Sequence, residues 1–359
     1  MQTEKVQLYF IRKPDVSNFL GEISKKYSTY VPVDVDGIIH YNLFDPEKKQ
    51  SISLDGIHAV ESLKSFFFPA LEIMGTYFQL IEETHDNSGK PVAIIGAKSY
   101  DIEPLYLFDR IYGEGDFVDP TYVEKRKSTL IIASDCTSFS EACFSPLVGI
   151  KLYPERLFDL SIARVKGGYV VTVGSDKGKE LISSNPSLFS PAPTEKIAER
   201  DENRKKLQKE VEEHNKQYQL SAPYEVLSRK EVDSSVWLDA TKTCVECGAC
   251  VLVCPTCYCF LMSDTKHKEG YKRSRAWDTC QYKGFARVAG GANPRPRLAE
   301  RLRHRYLHKF DYLKESHDLY ACTGCGRCVQ ACMGKIDMRK VFCELDKAAK
   351  QAAHSKAGA

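Results

Sequence analysis

Two cysteine runs near the C-terminal end of the chain have the spacing that wraps a backbone around a cubane [4Fe–4S] cluster. The runs are Cys244, Cys247, Cys250 and Cys254, followed by Cys322, Cys325, Cys328 and Cys332. Three closely spaced thiolates on one loop can each reach a different iron, whereas the fourth cysteine begins a helix and faces away. The pattern predicts single-electron transfer as the chemistry of this chain.

The fourth cysteine of each run is expected to bind the cluster of the other run, as in two-cluster ferredoxins. We therefore predict two [4Fe–4S] clusters, side by side and near enough for electrons to pass. The ligands of cluster 1 are Cys244, Cys247, Cys250 and Cys332. The ligands of cluster 2 are Cys322, Cys325, Cys328 and Cys254.

Small residues between these ligands support the assignment. Gly248, Gly324 and Gly326 can adopt positive φ, which lets backbone N–H groups point at cluster sulfurs. Pro255 ends the first run in the expected way, whereas Met333 stands where the pattern usually has proline.

Three other uses of cysteine fit less well. Zinc is an alternative because Cys244/Cys247 and Cys254/Cys257 also have zinc-ribbon spacing, but two complete four-cysteine runs disfavour it. Disulfides are disfavoured because the chain opens without the apolar stretch of a signal peptide, which predicts a reducing cytoplasm. A radical-enzyme cluster needs one open iron, whereas a fourth ligand is available to each cluster here.

Composition predicts a chain of two or more domains with no membrane insertion. A length of 359 residues exceeds what one core usually organises, and 43% of the residues are hydrophobic. No uninterrupted apolar segment approaches the roughly 18 residues of a membrane span. The formal net charge of +3 is too small to argue for or against nucleic acid.

Residues 1–195 are predicted to form an α/β-like N-terminal docking domain. Short β-branched or aromatic runs predict strands over 6–11, 93–95, 129–133 and 169–173. Gly167-Gly168 between two such runs predicts a hairpin. Helices are predicted over 14–26 and 101–112, the first opening with a proline that a first helical turn tolerates.

The rest of the chain completes an α+β prediction. Residues 196–234 are a charged helical connector, 235–345 a two-cluster ferredoxin-like domain, and 346–359 a flexible tail. Sixty-seven residues separate Cys254 from Cys322, far more than a bare ferredoxin needs. This long insert, 260–318, must therefore carry its own structure, including a basic helix over 298–310.

The insert is strongly basic. Between 266 and 309 it has three acidic residues against thirteen basic ones, which are Lys266, Lys268, Lys272, Arg273, Arg275, Lys283, Arg287, Arg295, Arg297, Arg301, Arg303, Arg305 and Lys309. These charges either lower the cost of burying negative clusters, or form a docking face for an acidic partner, or are partly a solvated surface. Nucleic-acid binding ranks well below docking, because few aromatic residues that could stack on bases lie among these basic residues.

Several motifs of this chain resemble a known family. They are Cys254-Pro-Thr-Cys-Tyr-Cys-Phe260, Trp277-Asp-Thr-Cys-Gln281, Cys322-Thr-Gly-Cys-Gly-Arg-Cys328 and, in the N-terminal half, Ser65-Phe-Phe-Phe-Pro69. The sequence resembles the iron–sulfur β subunit of cytoplasmic sulfhydrogenase-type [NiFe] hydrogenases and the corresponding iron–sulfur subunit of anaerobic sulfite reductase. The resemblance covers nearly the whole chain.

The resemblance implies a subunit that makes no product itself. Such a protein relays electrons between two partners. One is a flavin- and NAD(P)-binding subunit; the other is a catalytic subunit, which would be a hydrogenase, a sulfite reductase or a heterodisulfide-reductase-like protein. Two departures affect the N-terminal cysteines: Cys143-Phe144-Ser145 stands for a Cys-Phe-Cys element, and Lys98-Ser99-Tyr100-Asp101 for an Arg-x-Cys-Asp.

Six cysteines remain once two clusters are filled, namely Cys136, Cys143, Cys257, Cys259, Cys280 and Cys343. Cys257, Cys259 and Cys280 are candidates for a third iron–sulfur site, with a fourth ligand from Cys136, Cys143 or a histidine. The alternative is that these cysteines are small buried hydrophobes, which is the preferred interpretation for Cys343.

His304 and His308, at i,i+4 spacing, are expected on one helix face, where a surface or hydrogen-bonding role is more usual than metal binding.

Two further hypotheses compete with an electron-transfer role. A stand-alone oxidoreductase acting on a small thiol or sulfur substrate is the alternative function, but no G-x-G-x-x-G follows a strand. A zinc-stabilised interaction protein is the third hypothesis, which iron and sulfide analysis would separate.

Overall fold

The computed structural model describes residues 7–77, 90–230, 234–268 and 270–357. These residues divide into two compact units. Unit 1 comprises residues 7–67, 90–140 and 149–213, and unit 2 comprises 68–77, 141–148 and the described residues from 214 onward. Unit 2, which contains both cysteine runs, therefore includes two stretches from much earlier in the chain.

Eleven strands occur in the described residues. They are β1 (Leu8–Arg12), β2 (Ser28–Val35), β3 (Ile38–Leu43), β4 (Leu71–Tyr77), β5 (Val92–Ala97), β6 (Leu130–Ser134), β7 (Leu160–Val165), β8 (Gly168–Val173), β9 (Ser190–Pro191), β10 (Phe260–His267) and β11 (Gly270–Trp277).

The α-helices of the same residues are α1 (Val16–Lys26), α2 (Lys64–Phe67), α3 (Ser99–Tyr112), α4 (Pro120–Ser128), α5 (Asp176–Ser184), α6 (Thr194–His214), α7 (Tyr224–Lys230), α8 (Val236–Thr241), α9 (Ala249–Leu252), α10 (Leu298–Leu307), α11 (Leu313–His317), α12 (Arg327–Gln330) and α13 (Met338–Ala357). Short 3-10 helices cover Lys13–Asp15, Ser145–Val148 and Lys216–Tyr218, and a π-helix covers His308–Tyr312.

Unit 1 is built on an eight-stranded mixed sheet with the order β3-β2-β5-β6-β7-β8-β1-β9. Strands β2, β5, β6 and β7 pair in parallel, and the remaining pairs are antiparallel. Every residue of β6 is buried, as expected for a central strand covered on both faces. The core of the unit includes Ile11, Val31, Ile95, Ile132 and Ile162.

The strands expected in unit 1 are present. Strands β5 and β8 contain the runs expected over 93–95 and 169–173, while β6 begins one residue after the predicted start. Strand β1 covers the described part of the run over 6–11, whose first residue lies outside the described residues. The predicted hairpin joins β7 to β8, and Gly167 has the positive φ (85°) that such a turn needs.

The helices expected in unit 1 are also present, with small changes at their starts. The segment over 14–26 begins as the 3-10 turn Lys13–Asp15 and continues as α1, and the segment over 101–112 begins earlier, at Ser99 in α3. Most of the charged connector is α6, which buries Leu207 and Val211 along one side. Helix α6 is so rich in polar residues that this narrow apolar stripe is not evident from the sequence.

Unit 2 combines a three-stranded antiparallel sheet, in the order β10-β11-β4, with short helices around the cysteine runs. An aromatic cluster of Tyr224, Tyr306, Phe310 and Phe342 joins α7, α10, the π-helix and α13, with ring centroids 4.6–5.2 Å apart in the contacting pairs. Packing of such rings stabilises the helices that carry the insert against the C-terminal helix.

The insert between the cysteine runs has its own structure, as predicted. Strands β10 and β11 form a hairpin, and the helix expected over 298–310 is α10, which continues as the π-helix His308–Tyr312. Helix α13 continues to Ala357 through the segment expected to be a flexible tail, because alanine and lysine are strong helix formers.

Candidate iron–sulfur site

All four predicted ligands of cluster 1 line one cavity in unit 2. The cavity is bordered by Cys244, Cys247, Cys250 and Cys332, with Cys328 beside them. The first three thiols come from one cysteine run and the fourth from the other. The crosswise arrangement expected from the spacing is therefore compatible with the fold, and the donor set fits a [4Fe–4S] cluster, which binds thiolates.

Each cysteine run forms the same local structure, a loop followed by a one-turn helix. Gly248 precedes α9 with φ of 73°, and Gly326 precedes α12 with φ of 84°. Gly324 also has positive φ, 63°. The predicted conformation of all three glycines is confirmed, and it turns each loop so that the third cysteine enters the helix. The expectation that the fourth cysteine begins a helix is wrong, since Cys254 and Cys332 follow α9 and α12.

Three of the predicted ligands of cluster 2 lie near enough to one another for their charges to interact. Burial raises the pKa of the Cys322 thiol to about 12, and the neighbouring thiolates of Cys328 and Cys254 add to the increase. Cys325 is buried in the same loop. Cys328 also acts electrostatically on Cys250, so it lies near both predicted ligand sets.

Lys309 is a buried cation in direct contact with a predicted ligand. Its Nζ donates to Cys254 Sγ at 3.2 Å, to Thr256 Oγ1 at 2.8 Å and to the Ala321 carbonyl at 2.8 Å. Burial alone would lower the pKa of this ammonium group, but the thiolates of Cys254 and Cys257 raise it. Lys309 therefore places a fixed positive charge beside the second cysteine set.

Arg305, one helical turn before Lys309, plays a similar part for the first run. Its guanidinium donates to the Cys250 carbonyl at 3.0 Å, and the residue is only 4% exposed. Burial would lower its pKa, but interaction with Cys250 and Cys328 raises it well above the usual value. The two buried cations offset negative charge where both thiol sets meet.

A third buried cation, Arg301, joins the insert to the first cysteine run. It donates to the carbonyls of Gln281 (2.9 Å) and Pro296 (2.7 Å) and to Glu246 Oε2 (2.9 Å). Arg275 is also buried, paired with Glu72 across β11 and β4. In contrast, Lys266, Lys268, Lys283 and Arg287 are exposed. The basic insert thus divides into charges at the surface and buried charges, of which Lys309 and Arg305 lie beside the thiols.

The segment 141–148 contacts and supports the second cysteine run. The sequence analysis did not predict this contact. The Phe144 N–H donates to the Gly324 carbonyl at 2.7 Å, and Ser145 Oγ donates to the Thr323 carbonyl at 2.7 Å. A Cβ on Gly324 would lie 2.5 Å from Ser145 N. The only sequence signal was the family's Cys-Phe-Cys element, which reads Cys143-Phe144-Ser145 here.

Replacing Gly324 with alanine is therefore expected to destabilise unit 2. The new methyl group meets backbone atoms that cannot move aside, and the left-handed conformation adds strain, for a total of about 3 kcal/mol. Thermal unfolding and iron content of the anaerobically purified G324A variant measure the effect. The control is Gly284→Ala, since no atom lies within 4 Å of its added Cβ; equal behaviour of the two variants would refute the steric argument.

Together with Cys254, the three cysteines of the predicted third site form two pairs. Cys257 shares a hydrogen bond with Cys254, and Cys259 shares one with Cys280. Gln281 Nε2 lies 3.4 Å from Cys280 Sγ. Across the described ranges, no three His, Cys, Asp or Glu side chains are arranged to hold a single metal ion. A third cluster at Cys257, Cys259 and Cys280 stays a prediction.

The other three cysteines are separated. Cys136 is buried in unit 1 two residues after β6, and its Sγ donates a hydrogen bond to the Tyr100 hydroxyl at 3.5 Å. Cys143 is buried in unit 2, and Cys343 lies on α13. His304 and His308 do share one helix face, with parallel rings 6.1 Å apart, and burial lowers the pKa of each to about 4.

Comparison with known proteins agrees with this site. A family model described as a 4Fe-4S dicluster domain matches residues 243–336, which confirms the expectation of two [4Fe–4S] clusters. The chain is 30% identical to sulfhydrogenase 2 subunit beta of Pyrococcus furiosus over 343 residues, which are 95% of this chain and 98% of that protein. Within the described residues, no helix is long and apolar enough to cross a membrane.

Proposed function

Because the chain belongs to the sulfhydrogenase beta-subunit family, we propose that it is the electron-transfer subunit of a multi-subunit oxidoreductase. It relays single electrons between a flavin- and NAD(P)-binding partner and a catalytic subunit of the hydrogenase type. The observation that supports this most directly is the cavity lined by thiols from both cysteine runs.

The chain's own residues supply the ligands and the electrostatic environment. Cys244, Cys247, Cys250 and Cys332 would hold one cluster, and Cys322, Cys325, Cys328 and Cys254 the other. When bound, a [4Fe–4S] cluster accepts and donates one electron at a time, at a potential set by nearby charge, hydrogen bonds and exposure. Lys309 and Arg305 stabilise the additional negative charge of the reduced state from buried positions.

The exposed part of the basic insert supports a role in partner binding. Lys266, Lys268, Lys283 and Arg287 present positive charge at the surface of unit 2, and such charge accelerates association with an acidic partner. We assign this surface to a partner protein of the complex because these cations, unlike Lys309, have no part in the thiol environment.

The test uses the whole complex, purified without oxygen from cells in which this chain carries an affinity tag. The double variant C244S/C254S, which removes a ligand from each cluster, is expected to abolish NAD(P)H-driven turnover of the catalytic subunit. Turnover with an artificial donor and dye reduction by the flavin subunit should both persist, because those reactions bypass the relay. Cys343→Ser is the matched control, and overall turnover that survives the double variant would refute the relay.

A further inference from the structure

The carboxyl ends of β1, β6 and β7 lie at the same edge of the unit 1 sheet. Strands β6 and β7 are parallel, and β1 has the same direction because both β1 and β7 are antiparallel to β8. Ligands of α/β sheets usually bind outside the carboxyl ends of the strands. This edge is therefore where a binding site is expected if unit 1 has one.

A cleft of about 550 Å³ occupies this edge. One wall consists of residues that directly follow the strands, including Lys13 after β1, Asp135 and Cys136 after β6, and the Lys166-Gly167 turn after β7. The other wall is α6, from Glu199 to Glu210. The volume lies within the range of about 300–1,000 Å³ that is typical of small-molecule sites.

The cleft carries more positive than negative charge. Its lining contains three acidic residues and six basic ones, which are Lys13, Arg164, Lys166, Arg200, Arg204 and Lys206. Asp135 is neutralised by two hydrogen bonds from Arg204, at 2.6 and 3.0 Å. Glu199 accepts from Lys196 Nζ at 2.9 Å and from the Lys166 N–H at 2.6 Å. Two of the three acids are thus already satisfied within the protein.

Arg164 and Arg200 also have acidic partners, Asp55 and Asp201. The net positive charge of the cleft consequently rests on its three exposed lysines, Lys13, Lys166 and Lys206, which outnumber the remaining acid, Glu210. A lysine ammonium is a compact point charge that binds phosphate well and rotates to meet its oxygens. Three lysines on both walls of one cleft form a receptor for a multiply charged anion.

We propose that this cleft binds a small molecule that carries a phosphate or pyrophosphate group. The lysines contact the phosphate oxygens, and the Arg204–Asp135 pair keeps the inner end of the cleft polar and ordered. The lining of the cleft contains none of the cysteines of unit 2, and its chemistry is anion binding rather than iron binding. The site gives unit 1 a binding function of its own.

Isothermal titration calorimetry of the full chain, with clusters assembled, tests the proposal. Inorganic pyrophosphate, ADP and citrate are the probes, at constant ionic strength. Pyrophosphate or ADP is expected to bind saturably at one site per chain, and the variant K13Q/K206Q should weaken that binding at least tenfold. The matched control is K205Q/K209Q, which removes two exposed lysines from the same helix outside the cleft and should keep full affinity.

Three outcomes would overturn the proposal. The first is the absence of saturable binding of either phosphate probe. The second is an equal loss of affinity in both double variants, which would show nonspecific attraction. The third is binding of citrate alone, which would assign the cleft to carboxylates. Circular dichroism of each variant verifies that these surface substitutions leave the fold intact.

Discussion

Replacing Cys244 and Cys332 together with serine is expected to remove a single cluster and leave about four of eight irons per chain. Both side chains line the same cavity although they come from different cysteine runs. Losing two ligands of one cluster should cost no more iron than losing either alone, because the second cluster keeps all its thiols.

The complementary variant C244S/C254S makes the experiment decisive. Its two cysteines belong to one run but to different predicted clusters, so iron content should fall close to zero. If each run instead held its own cluster, the two double variants would exchange results. Iron and sulfide analysis of anaerobic material, together with paramagnetic resonance after reduction, gives the measurement. Cys343→Ser should retain the full iron content.

Removing the charge of Lys309 is expected to lower the midpoint potential of the cluster that includes Cys254. The ammonium group lies 3.2 Å from Cys254 Sγ and is 2% exposed. A unit charge roughly 5 Å from a cluster, at an effective dielectric constant of about 20, contributes about 3 kcal/mol. For a one-electron couple this corresponds to roughly 130 mV.

Lys309→Gln is the suitable variant because its amide can still donate to Thr256 or Ala321 while carrying no charge. A redox titration followed by paramagnetic resonance measures the potential of each cluster, after iron analysis has verified that both are present. Lys283→Gln, which removes an exposed cation from the same insert, should shift neither potential. A shift of equal size in both variants would mean that long-range surface charge, rather than this contact, sets the potential.

The cavity lined by thiols of both cysteine runs could be predicted because the spacing within each run is local. Cys244, Cys247 and Cys250 lie on one short loop, so the chemistry of a cluster restricts their separation in sequence directly. The same holds for the glycines between them, whose positive φ follows from the tight turn. Strands such as β6 were predictable for a similar reason, since a buried strand requires a continuous apolar run.

The role of Lys309 could not be read from the sequence. It is one of thirteen basic residues between positions 266 and 309, and only the packing of α10 and the π-helix shows which of them are buried. A π-helix changes the angular position of every later side chain, and nothing in the pattern of residues indicated one. The support from Phe144 and Ser145 depends on a contact almost 180 residues distant in sequence, beyond the reach of any local pattern.

The inclusion of 68–77 and 141–148 in unit 2 has a consequence for how this protein can be divided or transplanted. A gene fragment starting near residue 214 would encode every predicted ligand, yet its product would lack β4, the edge partner of β11. It would also lack the Phe144 N–H and the Ser145 hydroxyl, which donate hydrogen bonds to the second cysteine loop. The stretch 243–336 is thus recognisable as a module in sequence without being self-sufficient as a folding unit. The two units therefore cannot be separated by a single cut in the gene. A truncation or a recombination at one point would leave unit 2 without some of its own segments.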